Sequence, residues 1–283
     1  MKSIAVQERV CDCCGSNDLE EIWHYSLESR TKSNTYFWQV RNVVCRCCGF
    51  GFVSPSPTED ALEEYYQDSF CIDTQQGADF SVQNRLHIIS KCVEELEKSD
   101  QYSAECEKTY LEVGSNNCPE FISKVESLFE HIQTVELNED CNSNYRSLKD
   151  IPDEVADVVA AYFVLEHIPN PKQFLEYCVR GLKSGGFLIL EVPNLYLYPK
   201  DPAGILLHEH VNHFSPVSLS WLANMQGLSL VEISQKYCSR PFGFAAIYQK
   251  KDDVVGNSSV HHDVEYYLAK SCMVEGVEAI KLF

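Results

Sequence analysis

ADVVAAYFVLEHIPNPKQFLEYCVRGLKSGGFLILEVPN occupies residues 156–194, and its reading decides what kind of sheet the chain builds. ADVVAAYFVL (156–165) contains the apolar run Val158 to Leu165, the pattern of a strand buried on both faces. NPKQFLEYCVRGLKSGG then reads as an amphipathic helix, with proline at its start and the pair Gly185–Gly186 at its end. FLILEVP (187–193) is a second buried strand. Two such strands joined by a helix form a parallel unit whose faces must both be covered.

The same alternation continues in both directions. Upstream, NRLHIISKCVEELEK (84–98) is helix-like and TYLEVG (109–114) is a buried strand. NNCPEFISKVESLFE begins a helix with Pro119 near its first turn, and HIQTVEL (131–137) is a further strand. Downstream, Ser215 caps the helix PVSLSWLANMQ, with Pro216 at its first position and Gly227 beyond its end. LSLVEISQ and FGFAAIYQK read as two final edge strands. The expected fold class is α/β, a mostly parallel sheet with helices on both faces.

Composition narrows the function. The chain has 283 residues, 45% hydrophobic and 11% aromatic, enough for one large α/β domain with a smaller one. Its longest apolar run is far short of the roughly 20 residues of a membrane helix. MKSIAVQERV lacks the apolar core of a signal peptide. These features predict a cytoplasmic protein that does not enter membranes. A formal net charge of −19, with no basic patch, argues against a nucleic-acid partner.

Fourteen cysteines in such a chain point to thiolate metal ligands wherever they are paired. CDCCG (11–15) and CRCCG (45–49) each contain C-x-x-C-G. Two residues between thiolates let a tight turn aim both sulfurs at one ion, and the glycine turns the chain away. Cys11, Cys14, Cys45 and Cys48 are therefore the predicted ligands of a structural zinc, with Cys13 and Cys47 as bystanders. TYFWQVRNVVC between the knuckles has strand composition, and Thr58 caps a helix in SPSPTEDALEEYYQDSF. The expected organisation is a zinc-binding domain at 1–78, an α/β domain at 79–252, and a helical tail or the start of a further domain at 253–283.

Three features of the α/β pattern carry chemistry. LEVGSNNCPEF places Glu112 near a strand end, followed by Gly114 and a helix N-terminus, so backbone can approach a ligand there. Asn116 and Cys118 stand where a dinucleotide fingerprint would have glycines, although Asn tolerates left-handed conformations. Glu136 ends the next strand about 20 residues on, where a carboxylate can accept both hydroxyls of a ribose. VLEHIPNP lies at the same edge.

Together these residues resemble the class I S-adenosylmethionine-dependent methyltransferases, over about residues 80–250. The resemblance implies a Rossmann-like methyltransferase sheet and S-adenosylmethionine as cofactor. By position, Glu112, Gly114 and Asn116 would flank its methionine part. Glu136 and Leu137 would hold the ribose, and the edge from Ala160 through Tyr162 would line the pocket.

LLHEHVNHFSP (206–216) holds three histidines and a glutamate within six positions. With the knuckles in front, it resembles the nucleotide-sugar C-methyltransferases, in which an H-E-H segment lies over the cofactor. That resemblance implies His210 as a base that removes the proton beside a sugar ketone, with Glu209 as its helper. His208 and His213 would contact substrate or be structural. Leu207 replaces the family's usual tyrosine, and the family's further C-terminal domain is absent from these 283 residues. A three-histidine metal site on an extended segment and a merely helix-capping loop are the other readings of the cluster. For the chain, methylation of oxygen or nitrogen on another small molecule and a non-catalytic cofactor-binding module remain open.

Overall fold

The computed structural model describes residues 2–69, 78–99, 106–114, 119–137, 142–251 and 262–281. The N-terminal part is built on a long antiparallel hairpin, β1 (Leu19–Arg30) and β2 (Thr35–Cys45). Tyr36, Trp38 and Val40 alternate along β2 and are buried with Leu62, Tyr65 and Val211, as a period of two requires. β3 (Gly51–Val53) extends this sheet, and α1 (Glu59–Asp68) follows. Thr58 caps α1 as expected, its side chain accepting from the Ala61 N–H.

After α2 (Ala78–Lys98) the alternating pattern unfolds in order: β4 (Thr109–Val113), α3 (Pro119–Val125), β5 (His131–Val135), β6 (Ala156–Tyr162), α4 (Pro171–Gly181) and β7 (Leu182–Pro193). The two-residue β8 (Asn212–His213) precedes α5 (Pro216–Asn224), β9 (Leu228–Ser234), β10 (Gly243–Lys250) and α6 (His262–Ile280). The main sheet has the order β9-β10-β7-β6-β4-β5. β7, β6, β4 and β5 run parallel, and β10 is antiparallel to both its neighbours. Beyond β5, a single parallel bridge joins Val135 to Tyr145.

Side chains of the central strands alternate between two apolar layers. Leu111, Val159, Ala161, Leu188 and Leu190 pack under α4 and α5. Tyr110, Val158, Ala160, Tyr162 and Ile189 pack under α2 and α3. Each fully buried Leu, Ile or Val contributes about 2 kcal/mol, so both helical layers are needed to hold the sheet.

One boundary differs from expectation. α4 ends at Gly181, and Lys183-Ser-Gly-Gly belongs to β7 instead of the helix terminus. Leu182 is fully buried in an extended conformation and starts the strand. Gly186 is required by close approach: a Cβ there would lie 2.9 Å from the Asp157 carbonyl oxygen. The glycines mark a register shift against β6 between Leu182 and Phe187.

The N-terminal part is stitched to the rest. β8, inserted between two elements of the main sheet, pairs antiparallel with β3 through Asn212–Phe52 and His213–Gly51. α6 packs Ala269, Met273 and Val277 against Val44, Leu195 and Tyr198. Packing therefore runs across the expected boundaries near 78 and 253.

Candidate functional site

The two cysteine knuckles converge. The sulfurs of Cys11, Cys14, Cys45 and Cys48 all lie within 4.8 Å of one another. Cys11 and Cys48 are 3.4 Å apart, and Cys14 and Cys45 are 3.5 Å apart. Zinc–sulfur bonds of about 2.3 Å in a tetrahedron need sulfurs about 3.8 Å apart, so shifts of no more than about 1 Å would fit the donor set to zinc. Each turn closes by a glycine N–H on the first cysteine's carbonyl, Gly15 to Cys11 at 2.7 Å and Gly49 to Cys45 at 2.9 Å. Both glycines have positive φ, +75° and +77°. At Gly49 a Cβ would also sit 2.7 Å from the backbone of Glu265 in α6. Cys13 is buried against the Ser218 carbonyl, and Cys47 is exposed beside Ser16, so neither joins the cluster.

The carboxyl edge of the main sheet brings together Gly114, Glu136 and Leu137 of the predicted cofactor residues. Gly114 follows β4 with φ +71°, and its N–H donates to the Val135 carbonyl at 2.9 Å. This bond brings Glu136 beside the glycine turn. A Cβ on Gly114 would meet Val164 at 2.7 Å. Glu136 is half-buried and Leu137 is exposed. Asn116 and Cys118 lie outside the described residues. Ala160 is fully buried in mid-strand, level with Glu112 and Ile189, and presents no open surface.

Glu112 points into a buried polar cluster. Tyr110 donates to it at 3.4 Å, and Tyr110 and Tyr162 join their hydroxyls at 3.2 Å. Burial pushes the Glu112 carboxyl up to about 7, opposed by the guanidinium of Arg85. Arg85 lies 4.0 Å over the Tyr162 ring and donates to Glu191 at 3.4 Å. Glu191 is fully buried and also accepts from the Ser239 N–H and hydroxyl. Arg85, Glu191 and Ser239 escaped the sequence reading. The available signal was Arg85 itself, a charge on the same α2 stripe as buried Val82, Ile89, Val93 and Leu96.

At the end of β6, Phe163 adopts φ +56°, a conformation rare for an aromatic residue and commonest at functional edges. Glu166 and His167 follow in a short 3-10 turn. His167 Nδ1 lies 3.1 Å from the Glu209 carbonyl and 3.0 Å from the Tyr66 hydroxyl. The 206–216 segment is therefore docked directly on the β6 edge.

Its three histidines go three ways. A turn closed by His210 N–H on the Leu207 carbonyl, at 3.0 Å, separates neighbouring side chains. His208 packs edge-on against Trp38 at 4.7 Å, with Nε2 3.3 Å from the Tyr65 hydroxyl and 3.4 Å from Glu209. Tyr65 donates to Glu209 at 2.9 Å. The carboxylate thus pairs with His208 and Tyr65, while the His210 ring turns to His167, 4.9 Å away. His210 Nδ1 donates to the Gly204 carbonyl at 3.1 Å, and burial keeps this imidazole uncharged by lowering its pKa. His213 donates from Nε2 to Asn42 at 2.7 Å and accepts from Tyr198 at 2.9 Å. It is fully partnered and structural. The extended three-histidine geometry does not form. Ser215 makes a full capping box with Ser218 at the start of α5, as expected.

A family model described as a methyltransferase domain matches residues 65–233. Part of the chain is 32% identical, over 83 residues, to a ubiquinone biosynthesis O-methyltransferase of Nitrosomonas europaea. That match covers 25% of this chain and 35% of the relative, so the chain spans about a third of its length. The structure is also similar to an S-adenosylmethionine-dependent methyltransferase of Archaeoglobus fulgidus, with TM-score 0.42, 19% identity, and coverage of 57% of this chain and 94% of that one. Another, from Aquifex aeolicus, aligns with TM-score 0.41 and 14% identity over 56% of this chain and 89% of its own. Among the described residues, no helix is long and apolar enough to cross a membrane. With its parallel sheet, antiparallel β10 and matched domain, the chain belongs to the class I S-adenosylmethionine-dependent methyltransferases.

Proposed function

We propose that this chain methylates the carbon beside a ketone on a nucleotide-linked sugar, with a structural zinc at Cys11, Cys14, Cys45 and Cys48. The observation that carries this reading is the docking of Glu209 and His210 onto the β6 edge through His167. Glu112, Gly114, Asn116, Glu136, Leu137 and Tyr162 are the proposed cofactor residues, with Arg85 balancing the charge of Glu112 and Glu191. When bound there, S-adenosylmethionine supplies an electrophilic methyl group. The chain's own residues must then take a proton from the acceptor and hold it in place. His210 remains uncharged with its Nε2 lone pair unclaimed by Gly204, and Glu209 is aimed by Tyr65 and His208. Turnover depends on both.

Calorimetry with S-adenosylmethionine and S-adenosylhomocysteine tests the cofactor, and absence of binding would overturn the reading. With a ketosugar nucleotide as acceptor, His210→Ala is expected to abolish turnover while cofactor binding persists. Full activity in that variant would remove His210 from the site. A second reading, methylation of a hydroxyl, draws support from the O-methyltransferase relative and from exposed Leu206 and Leu207 beside the histidines. Transfer of an isotopically labelled methyl group distinguishes the two by the carbon shift of the product.

A further inference from the structure

Among the described residues, Glu166 is the one carboxylate whose two oxygens are both buried without a hydrogen-bond partner. It is 1% exposed. Such a group costs several kcal/mol unless something neutralises it. Two imidazoles face it. One ligand atom from each of Glu166, His167 and His210 lies within 4.8 Å of the other two, and His167 Nε2 is 3.8 Å from Glu166 Oε1.

The tautomers follow from the outer partners. A carbonyl can only accept, so Gly204 takes the Nδ1 proton of His210, and the Nδ1 proton of His167 is shared between the Glu209 carbonyl and the Tyr66 hydroxyl. Nε2 of each ring is then left with a lone pair. With Glu166 ionised, three acceptors thus converge with no hydrogen among them, a gap that a cation fills. Imidazoles whose far nitrogens are anchored on backbone carbonyls are the usual outer arrangement of metal-binding histidines.

We infer that Glu166, His167 and His210 bind a divalent transition-metal cation, separate from the four-cysteine centre. Two imidazoles and one carboxylate suit zinc, iron, manganese or cobalt, and three ligands leave positions open. Arg240 acts on Glu166 through space, with no hydrogen bond between them. The inference rests on the methyl-transfer reading for what the open position does. Held by Glu166, His167 and His210, the cation would supply a Lewis acid for the ketone oxygen of the acceptor and offset the charge of its enolate. The acceptor C–H gives its proton to the Glu209 carboxylate. The enolate carbon takes the methyl group, and the sulfonium sulfur keeps the C–S electron pair as S-adenosylhomocysteine leaves. His210 then works as a ligand and Glu209 as the proton acceptor.

Cobalt(II) titration of full-length protein, carrying zinc in the cysteine site, tests the cation without reference to activity. One further equivalent is expected, with visible d–d bands and no thiolate charge-transfer absorption. Glu166→Gln and His210→Asn should each weaken that equivalent about tenfold or more, with the cysteine-bound zinc retained as the measure of folding. Wild-type protein that takes up cobalt only in exchange for zinc at the thiolates overturns the inference, and leaves a protonated Glu166 as the neutral partner of the two rings. Unchanged cobalt binding in both variants overturns it as well. The two readings fail separately. If the cofactor binds and turnover proceeds with one metal per chain, the cation is refuted and methyl transfer stands. If cobalt binds as expected but the cofactor does not, methyl transfer is refuted and the site stands.

Discussion

Replacing Arg85 by methionine tests how the buried polar cluster at the sheet edge holds its charge. Arg85 is the cation that the structure places between buried Glu112 and Glu191. Methionine keeps the stem that packs on Tyr162 and removes the charge. Breaking a buried ion pair on one side costs about 3 kcal/mol. The pH dependence is the sharper part. In the folded chain Glu112 keeps its proton up to about 7, against a usual 4.5. Between those values the folded state binds the extra proton. The contribution of this group is fully present below 4.5 and is lost as pH rises through 7, amounting to about 3 kcal/mol. Without Arg85 the folded pKa of Glu112 rises further. The stability gap between variant and wild type should therefore widen above neutral pH, by up to about 1.4 kcal/mol per unit. Urea denaturation of both proteins at about pH 5.5, 7 and 8.5 measures it, and comparison at each pH cancels groups unaffected by the change. A gap that stays constant over that range would refute the coupling between Arg85 and Glu112.

Gly114→Ala must adopt a positive φ and push a Cβ to within 2.7 Å of Val164. Calorimetry is expected to show lost binding of S-adenosylhomocysteine, with metal content unchanged. Cys14→Ser removes one of four sulfurs, and metal analysis should show zinc lost together with the two-state unfolding transition of the N-terminal part. His213→Leu strands the Asn42 amide oxygen and the Tyr198 hydroxyl in the core. It should cost about 2–3 kcal/mol in denaturant unfolding and leave cofactor affinity intact, since His213 lies on the β8 stitch.

Local chemistry was readable wherever neighbours in sequence remain neighbours in space. The C-x-x-C-G turns, the Thr58 and Ser215 caps, and the strand–helix alternation each depend on spacings of two to four residues. The placement of Glu112, Gly114 and Glu136 was legible because β4 carries the first two, and β5 the third, to the same sheet edge. The Gly185–Gly186 pair misled, because the same dipeptide ends a helix or lets a strand pass close to Asp157.

By itself, then, the sequence determined two metal-type knuckles, a doubly covered, mostly parallel sheet and the sheet edge that carries Gly114 and Glu136. Those follow from short-range sterics and from the period of apolar residues. Only the tertiary structure decided the partners of charge. Arg85 meets Glu191 from 106 positions away, and the turn at Leu207–His210 sends His208 to Tyr65 and His210 to Glu166 and His167. Burial sets the protonation of these groups, and burial is a property of what the fold brings over them.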